Sequence, residues 1–252
     1  MRNGKSPRLP LAVLLLFTLL GSMLVFSPAR VFAQSCGESI TTSTTLSADI
    51  GPCSGDGLDI GASNIVLDCA GHTISSTSSN NFGIDLYGHT NVTVENCVVT
   101  GFHDGIRLDY SSGNTFTGNT ADSNSFGGFN LFDSSSNTLT GNTADSNSYA
   151  GFIIALGSSS SNTLTGNTAD SNYFGYSDAT TGLGTAGTNN TYVGNECSGN
   201  SYASSPSGLC STSPPIPALP FPFAIPVVLA ATALIYLGIR RRLLGGQTAP
   251  SQ

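Results

Sequence analysis

Positive charge is almost missing from the middle of this sequence, and tryptophan is missing altogether. Seven of the eight lysine and arginine residues lie in residues 1–33 or 240–252, which leaves Arg107 as the single such cation between them. The fifteen acidic residues all fall between Glu38 and Glu196, so one positive and fifteen negative side chains give residues 34–217 a formal charge of −14. Such a field repels nucleic acids, which are excluded as partners, and it repels acidic glycans unless divalent cations intervene.

Several chemical signatures are also missing. The sequence has no C-x-x-C pair, no phosphate-binding glycine loop, no cofactor fingerprint and no recognisable serine or cysteine nucleophile. Both methionines, Met1 and Met23, lie in the first 33 residues, which leaves copper without soft thioether ligands in the rest of the chain. The composition therefore predicts no cofactor and favours a protein that is not an enzyme.

The first of two long apolar runs covers residues 11–26, and Arg2, Lys5 and Arg8 precede it. A small-residue site that ends at Ala33 follows, so residues 1–33 are predicted to be a cleaved secretory signal peptide. An even number of cysteines in an exported chain indicates disulfides rather than a metal site. We therefore expect three disulfides among the six cysteines, which are Cys36, Cys53, Cys69, Cys97, Cys197 and Cys210.

The second apolar run is predicted to be a membrane anchor. Residues 218–239 are uncharged and long enough to span a bilayer, and three arginines follow directly. The positive-inside rule makes 218–239 a single transmembrane helix and 240–252 a cytoplasmic tail, with a proline-containing stalk at 211–217 outside. The alternative is a sorting tail that an enzyme removes, which would leave the exterior domain attached to the cell surface.

A Gly-apolar-x-apolar motif recurs through the middle of the sequence. Its glycines are 22 to 26 residues apart, which is the period of a solenoid. The motif alternates as a strand with one buried face does, so we expect the copies to stack as parallel strands. The glycines are Gly57, Gly83, Gly105, Gly128, Gly151 and the degraded copy at Gly175.

Asparagine forms a second set of columns. One column begins with Asn64 and Asn91 and continues through Asn114, and in the last four copies asparagine returns five and ten residues later. Stacked amides hydrogen-bond along a strand repeat of roughly 4.8 Å. We expect three ladders, made of Asn114, Asn137, Asn162 and Asn190; of Asn119, Asn142, Asn167 and Asn195; and of Asn124, Asn147, Asn172 and Asn200. Serine tracts such as 134–136 are expected in outer turns.

A leucine-rich repeat would need more leucines, and calcium-binding nonapeptides would need Gly-Gly-x-Gly-x-Asp. The segment Asn64-Ile-Val-Leu-Asp-Cys-Ala-Gly-His-Thr-Ile74, the Asn-Thr-Leu-Thr-Gly-Asn-Thr copies and Cys36-Gly-Glu-Ser-Ile resemble NosD-like repeat proteins of the pectate-lyase-like superfamily over roughly residues 36–200. The resemblance implies an all-β fold, a right-handed parallel β-helix solenoid of about six coils with three sheets, which the C-terminal transmembrane helix would follow.

The resemblance also implies a domain division and a disulfide pairing. Residues 34–56 would form an N-terminal cap and residues 57–210 the repeats. Cys36 would pair with Cys53 in the cap, Cys69 with Cys97 in the first two coils, and Cys197 with Cys210 at the C-terminal end.

Two further columns are candidate sites. Asp122, Asp145 and Asp170 occupy the same place in three Asn-Thr-Ala-Asp-Ser-Asn copies, so they should stack as like charges. Solvent screening is the preferred interpretation, and bridging by structural calcium is the alternative. The aromatic residues Phe126, Tyr149 and Phe174 should also stack, as structural filler or, if they face outward, as a platform for neutral sugar rings.

Arg107 occupies the same register as Asp85 one coil earlier and Asn130 one coil later. A structural salt bridge with Asp85 is preferred over a catalytic role. The histidines His72, His89 and His103 fall in three registers, so we do not expect them to converge on a metal.

These observations favour a membrane-anchored, non-catalytic cell-surface protein that binds glycan or serves in adhesion or envelope structure. Two alternatives stay open. One is a carbohydrate-active enzyme, a glycoside hydrolase rather than a polysaccharide lyase, because acidic residues are plentiful. The other is a metallocentre accessory protein like NosD.

Overall fold

The structure, a computed structural model, describes residues 33–155 and 158–212. The predicted transmembrane helix and cytoplasmic tail lie outside these residues, as do most of the predicted signal peptide and stalk. Within the described ranges the one helical element is a 3₁₀ turn at Thr185–Gly187, and no helix there is long and apolar enough to cross a bilayer.

Nineteen strands, numbered β1 to β19 in chain order, form three parallel sheets. The long sheet has the order β1 (Glu38–Ile40), β4 (Leu58–Ile60), β7 (Phe82–Tyr87), β10 (Asp104–Asp109), β13 (Gly127–Phe132), β15 (Ala150–Ala155), β17 (Phe174–Asp178) and β19 (Tyr202–Ser205). The threonine sheet has the order β2 (Thr44–Thr45), β5 (Val66–Asp68), β8 (Thr93–Glu95), β11 (Thr115–Thr117), β14 (Thr138–Thr140), β16 (Thr163–Thr165) and β18 (Thr191–Val193). The short sheet contains β3 (Ile50–Cys53), β6 (Thr73–Ser76), β9 (Val98–Thr100) and β12 (Thr120–Asp122).

The chain visits the three sheets in turn, so each coil adds one strand or bridge to each sheet. Beyond β12, single parallel bridges continue the short sheet through Thr143, Thr168, Glu196 and Ser211. The predicted parallel solenoid of about six coils is therefore confirmed. Residues 34–56, the predicted N-terminal cap, contribute β1, β2 and β3.

The glycine column has the predicted register. In the long sheet Ile84 pairs with Ile106, Ile106 with Phe129 and Phe129 with Phe152, which places the preceding glycines directly above one another. The apolar positions of the motif point inward and are almost fully buried. Toward the C-terminal coils the core contains a stack of aromatic rings. The ring centroids of Phe129 and Phe152 are 4.9 Å apart, and those of Phe152 and Tyr176 are also 4.9 Å apart.

The three asparagine ladders are present and all but Asn200 of their members are buried. In each ladder the side-chain oxygen accepts the backbone N–H of the residue one coil earlier, over 2.7 to 3.1 Å. The alignment of Asn64 and Asn91 with Asn114 was wrong by one residue, because Val92 takes the ladder register and donates its N–H to Asn114. Asn64 and Asn91 instead adopt positive φ and bond to each other at the surface.

The serine tracts are not simply outer turns, and this prediction is corrected. Ser111, Ser134 and Ser159 are fully buried. The hydroxyl of Ser134 accepts the N–H of Ser111, and that of Ser159 accepts the N–H of Ser134. They form a fourth ladder because a hydroxyl, like an amide oxygen, satisfies the turn backbone of the preceding coil.

The three disulfides have the pairing that the resemblance implies. Cys36 is bonded to Cys53 in the first coil. Cys69 is bonded to Cys97 between the second and third coils. Cys197 is bonded to Cys210 in the last coil. All six cysteines are thus oxidised, and the covalent links lie toward the two ends of the stack.

Candidate functional site on the outer face of the long sheet

The outer face of the long sheet carries the most varied chemistry of the described residues. Its strands are the longest in the fold, and their alternation turns one residue in each motif copy outward. The register stacks these residues in one central row, which consists of Asp59, Asp85, Arg107, Asn130, Ile153 and Ser177. The row is charged toward the N-terminal coils and uncharged toward the C-terminal coils.

An aromatic row borders this face where the strands begin. The rings of Phe126 and Tyr149 are stacked with centroids 4.9 Å apart, and Tyr149 meets Phe174 edge to face at 5.6 Å. His103 stacks on Phe126, and Tyr202 stacks on Phe174, so the row is longer than the three predicted residues. The three predicted rings are half-buried, so each leaves part of its surface exposed to solvent.

A second aromatic row borders the opposite side of the face, where the strands end. Tyr87 and Tyr110 meet edge to face at 5.7 Å, and Tyr110 meets Phe132 at 6.1 Å. Tyr87 is 64 % exposed and Tyr110 is 54 % exposed, although both are large aromatic side chains. The central row therefore runs between two lines of rings. This second row was not recognised from the sequence, because Tyr110 follows the end of its strand.

A depression of about 280 Å³ lies in the C-terminal half of the face. Rings from both rows line it, together with outward side chains of the central row. The lining residues include Phe126, Tyr149, Phe132, Asn130, Ile153 and Ser177. The depression therefore combines aromatic and aliphatic walls with one amide and one hydroxyl, which is the composition of a site that orients a partly apolar ligand.

Arg107 lies beside this depression and pairs differently from the prediction. Its strand neighbours are Asp85 and Asn130, as expected. The guanidinium, however, donates to the carboxylate of Asp109, two residues along the same face, and stacks over the ring of Phe82 with 4.2 Å between Cζ and the ring centroid. The predicted salt bridge with Asp85 is therefore replaced by one with Asp109, which the sequence analysis had overlooked.

Burial raises the pKa of two carboxyls near Arg107. Burial raises the pKa of Asp85 to about 6, against an ordinary 3.8, even though the charge of Arg107 opposes this shift. Burial also raises the pKa of Asp104, which is only 2 % exposed. Asp104 accepts hydrogen bonds from the N–H of Gly127 and the amide of Asn130, both at 3.1 Å. The motif shows no periodic signal for Asp104 or Asp109, since each occurs in a single copy.

The raised pKa of Asp85 predicts a pH-dependent stability. The folded protein holds a proton on this carboxyl more tightly than the unfolded chain, so its contribution to stability is present near pH 4 and is lost as the pH rises through about 6. Because Asp85 is only partly buried, we expect Asp85→Asn to raise the free energy of unfolding by about 1 kcal/mol at about pH 7, and by much less near pH 4. Denaturant unfolding at both pH values measures this.

Glu196→Gln, at the exposed edge of the short sheet, is the matched control because it removes the same charge far from Arg107. A gain in stability that is equal at both pH values, or equal in both variants, would contradict the assignment to Asp85.

The aspartate column on the short sheet is stacked as predicted, and backbone N–H groups donate hydrogen bonds to its carboxylates, which offsets the repulsion between the like charges. The carboxylate of Asp122 accepts the N–H of Asp145, and that of Asp145 accepts the N–H of Asp170, both at 2.7 Å. Burial raises the pKa of Asp122 and of Asp145. In the described ranges no group of three or more His, Cys, Asp or Glu side chains is placed to hold a metal ion, so the geometry does not support structural calcium.

Together the fold and this face define a class of protein, a parallel β-solenoid whose longest sheet presents an extended, partly aromatic surface. A family model described as periplasmic copper-binding protein (NosD) matches residues 26–208, and the chain belongs to this family. The family consists of periplasmic right-handed parallel β-helices, so the resemblance drawn from the repeats is confirmed. No curated protein and no solved structure matches the chain.

The family description names copper, and the described residues do not fit a copper site. All six cysteines are held in disulfides, which removes thiolate ligands. His72 is bonded to Asp49, His89 lies beside Ser63, and His103 belongs to the aromatic row. The histidines therefore lie in separate places, as the sequence predicted, and a role as a metallocentre accessory protein gains no support from this donor set.

Proposed function

We propose that this protein is held outside the cell membrane and binds a non-acidic glycan along the outer face of the long sheet. The strongest support is the row formed by Phe126, Tyr149 and Phe174, whose rings are half-buried and of which Phe126 and Tyr149 line the depression. Sugar rings have apolar faces that pack on aromatic rings and hydroxyls that need polar partners, and the depression offers both. Rings stacked at the strand repeat provide several equivalent contacts along one direction, which suits a polymer.

Charge and family membership support the same proposal. The formal charge of −14 between residues 34 and 217 disfavours acidic polysaccharides, which leaves neutral or basic ones. The family is periplasmic, which agrees with a secreted domain. Attachment through residues 218–239, retained as an anchor or exchanged by a sorting enzyme, would keep the domain beside the glycans of the cell envelope.

Binding of the full-length protein to a panel of neutral oligosaccharides tests the proposal. We expect the double variant Phe126→Ala with Tyr149→Ala to weaken binding by about tenfold, since each stacked ring contributes roughly 0.5 to 1.5 kcal/mol. Tyr149→Phe should bind like the parent, because it keeps the ring. Isothermal titration provides the dissociation constants.

Val193→Ala is the control for the loss of exposed apolar surface, because Val193 is 52 % exposed on the threonine sheet and does not line the depression. If no neutral glycan binds, or if the double variant binds as well as the parent, the proposal is wrong.

A carbohydrate-active enzyme is the second candidate, and one observation favours it. A carboxyl with a pKa of about 6, Asp85, lies one strand from Arg107, which forms an ion pair with a second carboxyl, Asp109. Glycoside hydrolysis needs one protonated and one ionised carboxyl. The same titrations distinguish the two functions, since chain cleavage that Asp85→Asn abolishes would favour hydrolysis.

A further inference from the structure

Hydrogen-bond acceptors without partners are concentrated around Arg107. Five buried side-chain polar atoms in the described part of the chain have no hydrogen-bond partner, and four of them lie on or beside three neighbouring strands of the long sheet. They are Oδ1 of Asp85, Oδ1 of Asp109, Oδ1 of Asn130 and Nδ1 of His103. Asp109 is only 5 % exposed, so water does not replace the missing partner easily. Buried polar atoms are normally paired, and an unpaired one is unfavourable.

The three oxygens among these atoms call for a ligand that donates hydrogen bonds. They surround Arg107, because Asp85 and Asn130 are its neighbours on either side and Asp109 is its ion-pair partner. The guanidinium cannot satisfy all three, since it is already engaged by Asp109 and by the ring of Phe82. The unpaired oxygens therefore lie on three sides of the guanidinium.

Charge narrows the class of donor. Asp85 is affected by the negative charges of Asp109, Asp59 and Asp56 as well as by the positive charge of Arg107. Asp104 adds a further carboxyl within reach of the same guanidinium. Five carboxyls therefore face a single cation, and the local charge stays negative. A hydroxyl would donate one hydrogen bond and leave this charge unchanged, whereas an ammonium group donates three and offsets one unit of it.

We propose that the cluster of Asp85, Asp109 and Asn130 around Arg107 is a subsite for the free amino group of a hexosamine, so that the preferred glycan carries unacetylated amino sugars. The inference rests on the proposed function and narrows its ligand class. N-acetylation would remove both the charge and two of the donors, and an acidic sugar would be repelled.

The subsite is continuous with the depression. Asn130 belongs to both, since its amide donates to Asp104 and its side chain lines the depression. The side chains of Ile153 and Asp104 pack against Gly127 between the two, where a Cβ would lie 2.6 Å from Cδ1 of Ile153 and 2.9 Å from a carboxylate oxygen of Asp104. Subsite and depression together cover the five strands β7, β10, β13, β15 and β17, or roughly 20 Å at the usual strand spacing. The ligand is therefore an oligosaccharide that lies along the solenoid axis.

Three hexasaccharides with the same linkage test this inference on the full-length protein: a glucosamine hexamer, an N-acetylglucosamine hexamer and cellohexaose. We expect the glucosamine hexamer to bind about tenfold more tightly than cellohexaose at low ionic strength, and the N-acetylated hexamer to bind no better than cellohexaose. About 0.5 M salt should reduce the difference, because screening weakens charge attraction. Asp85→Asn should also reduce this difference in affinity, while the affinity for cellohexaose should change little.

Glu196→Gln removes one negative charge far from the cluster and should leave the preference unchanged. If all three hexasaccharides bind equally, the amino-group subsite is refuted while glycan binding stands. If none binds, both proposals fail. If Asp85→Asn and Glu196→Gln reduce the preference for glucosamine to the same extent, or if neither reduces it, the attraction comes from net charge and the assigned subsite is wrong.

Discussion

Asn142→Ala should lower the free energy of unfolding by about 4 kcal/mol, because it interrupts the middle of a buried ladder. The oxygen of Asn142 accepts both the backbone N–H and the side-chain amide of Asn119. Its own amide donates to the carbonyl of Phe116 at 3.0 Å. Alanine leaves these groups without a partner inside the solenoid, where water does not reach them. Equilibrium unfolding of the full-length protein in denaturant measures the change.

Thr140→Ala is the matched control for this variant. Thr140 lies two residues earlier, at the exposed end of β14, and its hydroxyl has no partner among the described residues. We expect a loss below about 0.5 kcal/mol, as for most surface substitutions. Losses of similar size in the two variants would show that the ladder does not carry the stability assigned to it.

Gly128→Ala should destabilise the protein by about 3 kcal/mol, for a steric reason. A Cβ at Gly128 would lie 2.7 Å from the carbonyl oxygen of Gly151 and 2.7 Å from the Cβ of Ala144. The first of these atoms is backbone of the next coil, so relief requires two neighbouring coils to move apart. This close approach explains why the repeat motif begins with glycine in every copy, and why alanine recurs opposite it at Ala121, Ala144 and Ala169.

Two glycine controls separate this clash from other costs of losing glycine. Gly141 has a φ of +60° and open space around its Cβ position, so Gly141→Ala should lose only about 1 kcal/mol from backbone strain. Gly55 has neither a close contact nor a positive φ, and Gly55→Ala should be nearly neutral. If thermal unfolding shows that Gly128→Ala is as stable as Gly55→Ala, the packing argument is wrong.

The stacking register could be predicted from the sequence because the constraint is repeated. Gly128 and Asn142 each have equivalents one coil away, and every copy meets the same neighbours above and below. The predicted asparagine register was wrong in the early coils, where another residue type occupies the ladder position. Val92 lies in the register of Asn114, and Asn91 lies beside it at the surface. The burial of Ser134 in a ladder was also not predicted. Serine is common in exposed turns, and the sequence alone does not show whether its hydroxyl points inward or outward.

The candidate site could be predicted only in part. Periodicity was sufficient for Phe126, Tyr149 and Phe174, since they recur at one offset. Asp109 and Asp104 occur once each, and only the folded face shows that Asp109 pairs with Arg107 and that Asp104 bonds to Asn130. Whether Arg107 turns toward Asp85 or Asp109 depends on side-chain direction along a strand, which residue spacing does not determine.

The positions of the disulfides affect how the molecule comes apart. In a solenoid the terminal coils have a neighbour on one side only, so they are the first to open. Covalent links at Cys36–Cys53 and Cys197–Cys210 lie in just those coils. These links limit how far the terminal coils can unravel, so we expect the ends of the stack to unfold together with its interior rather than ahead of it.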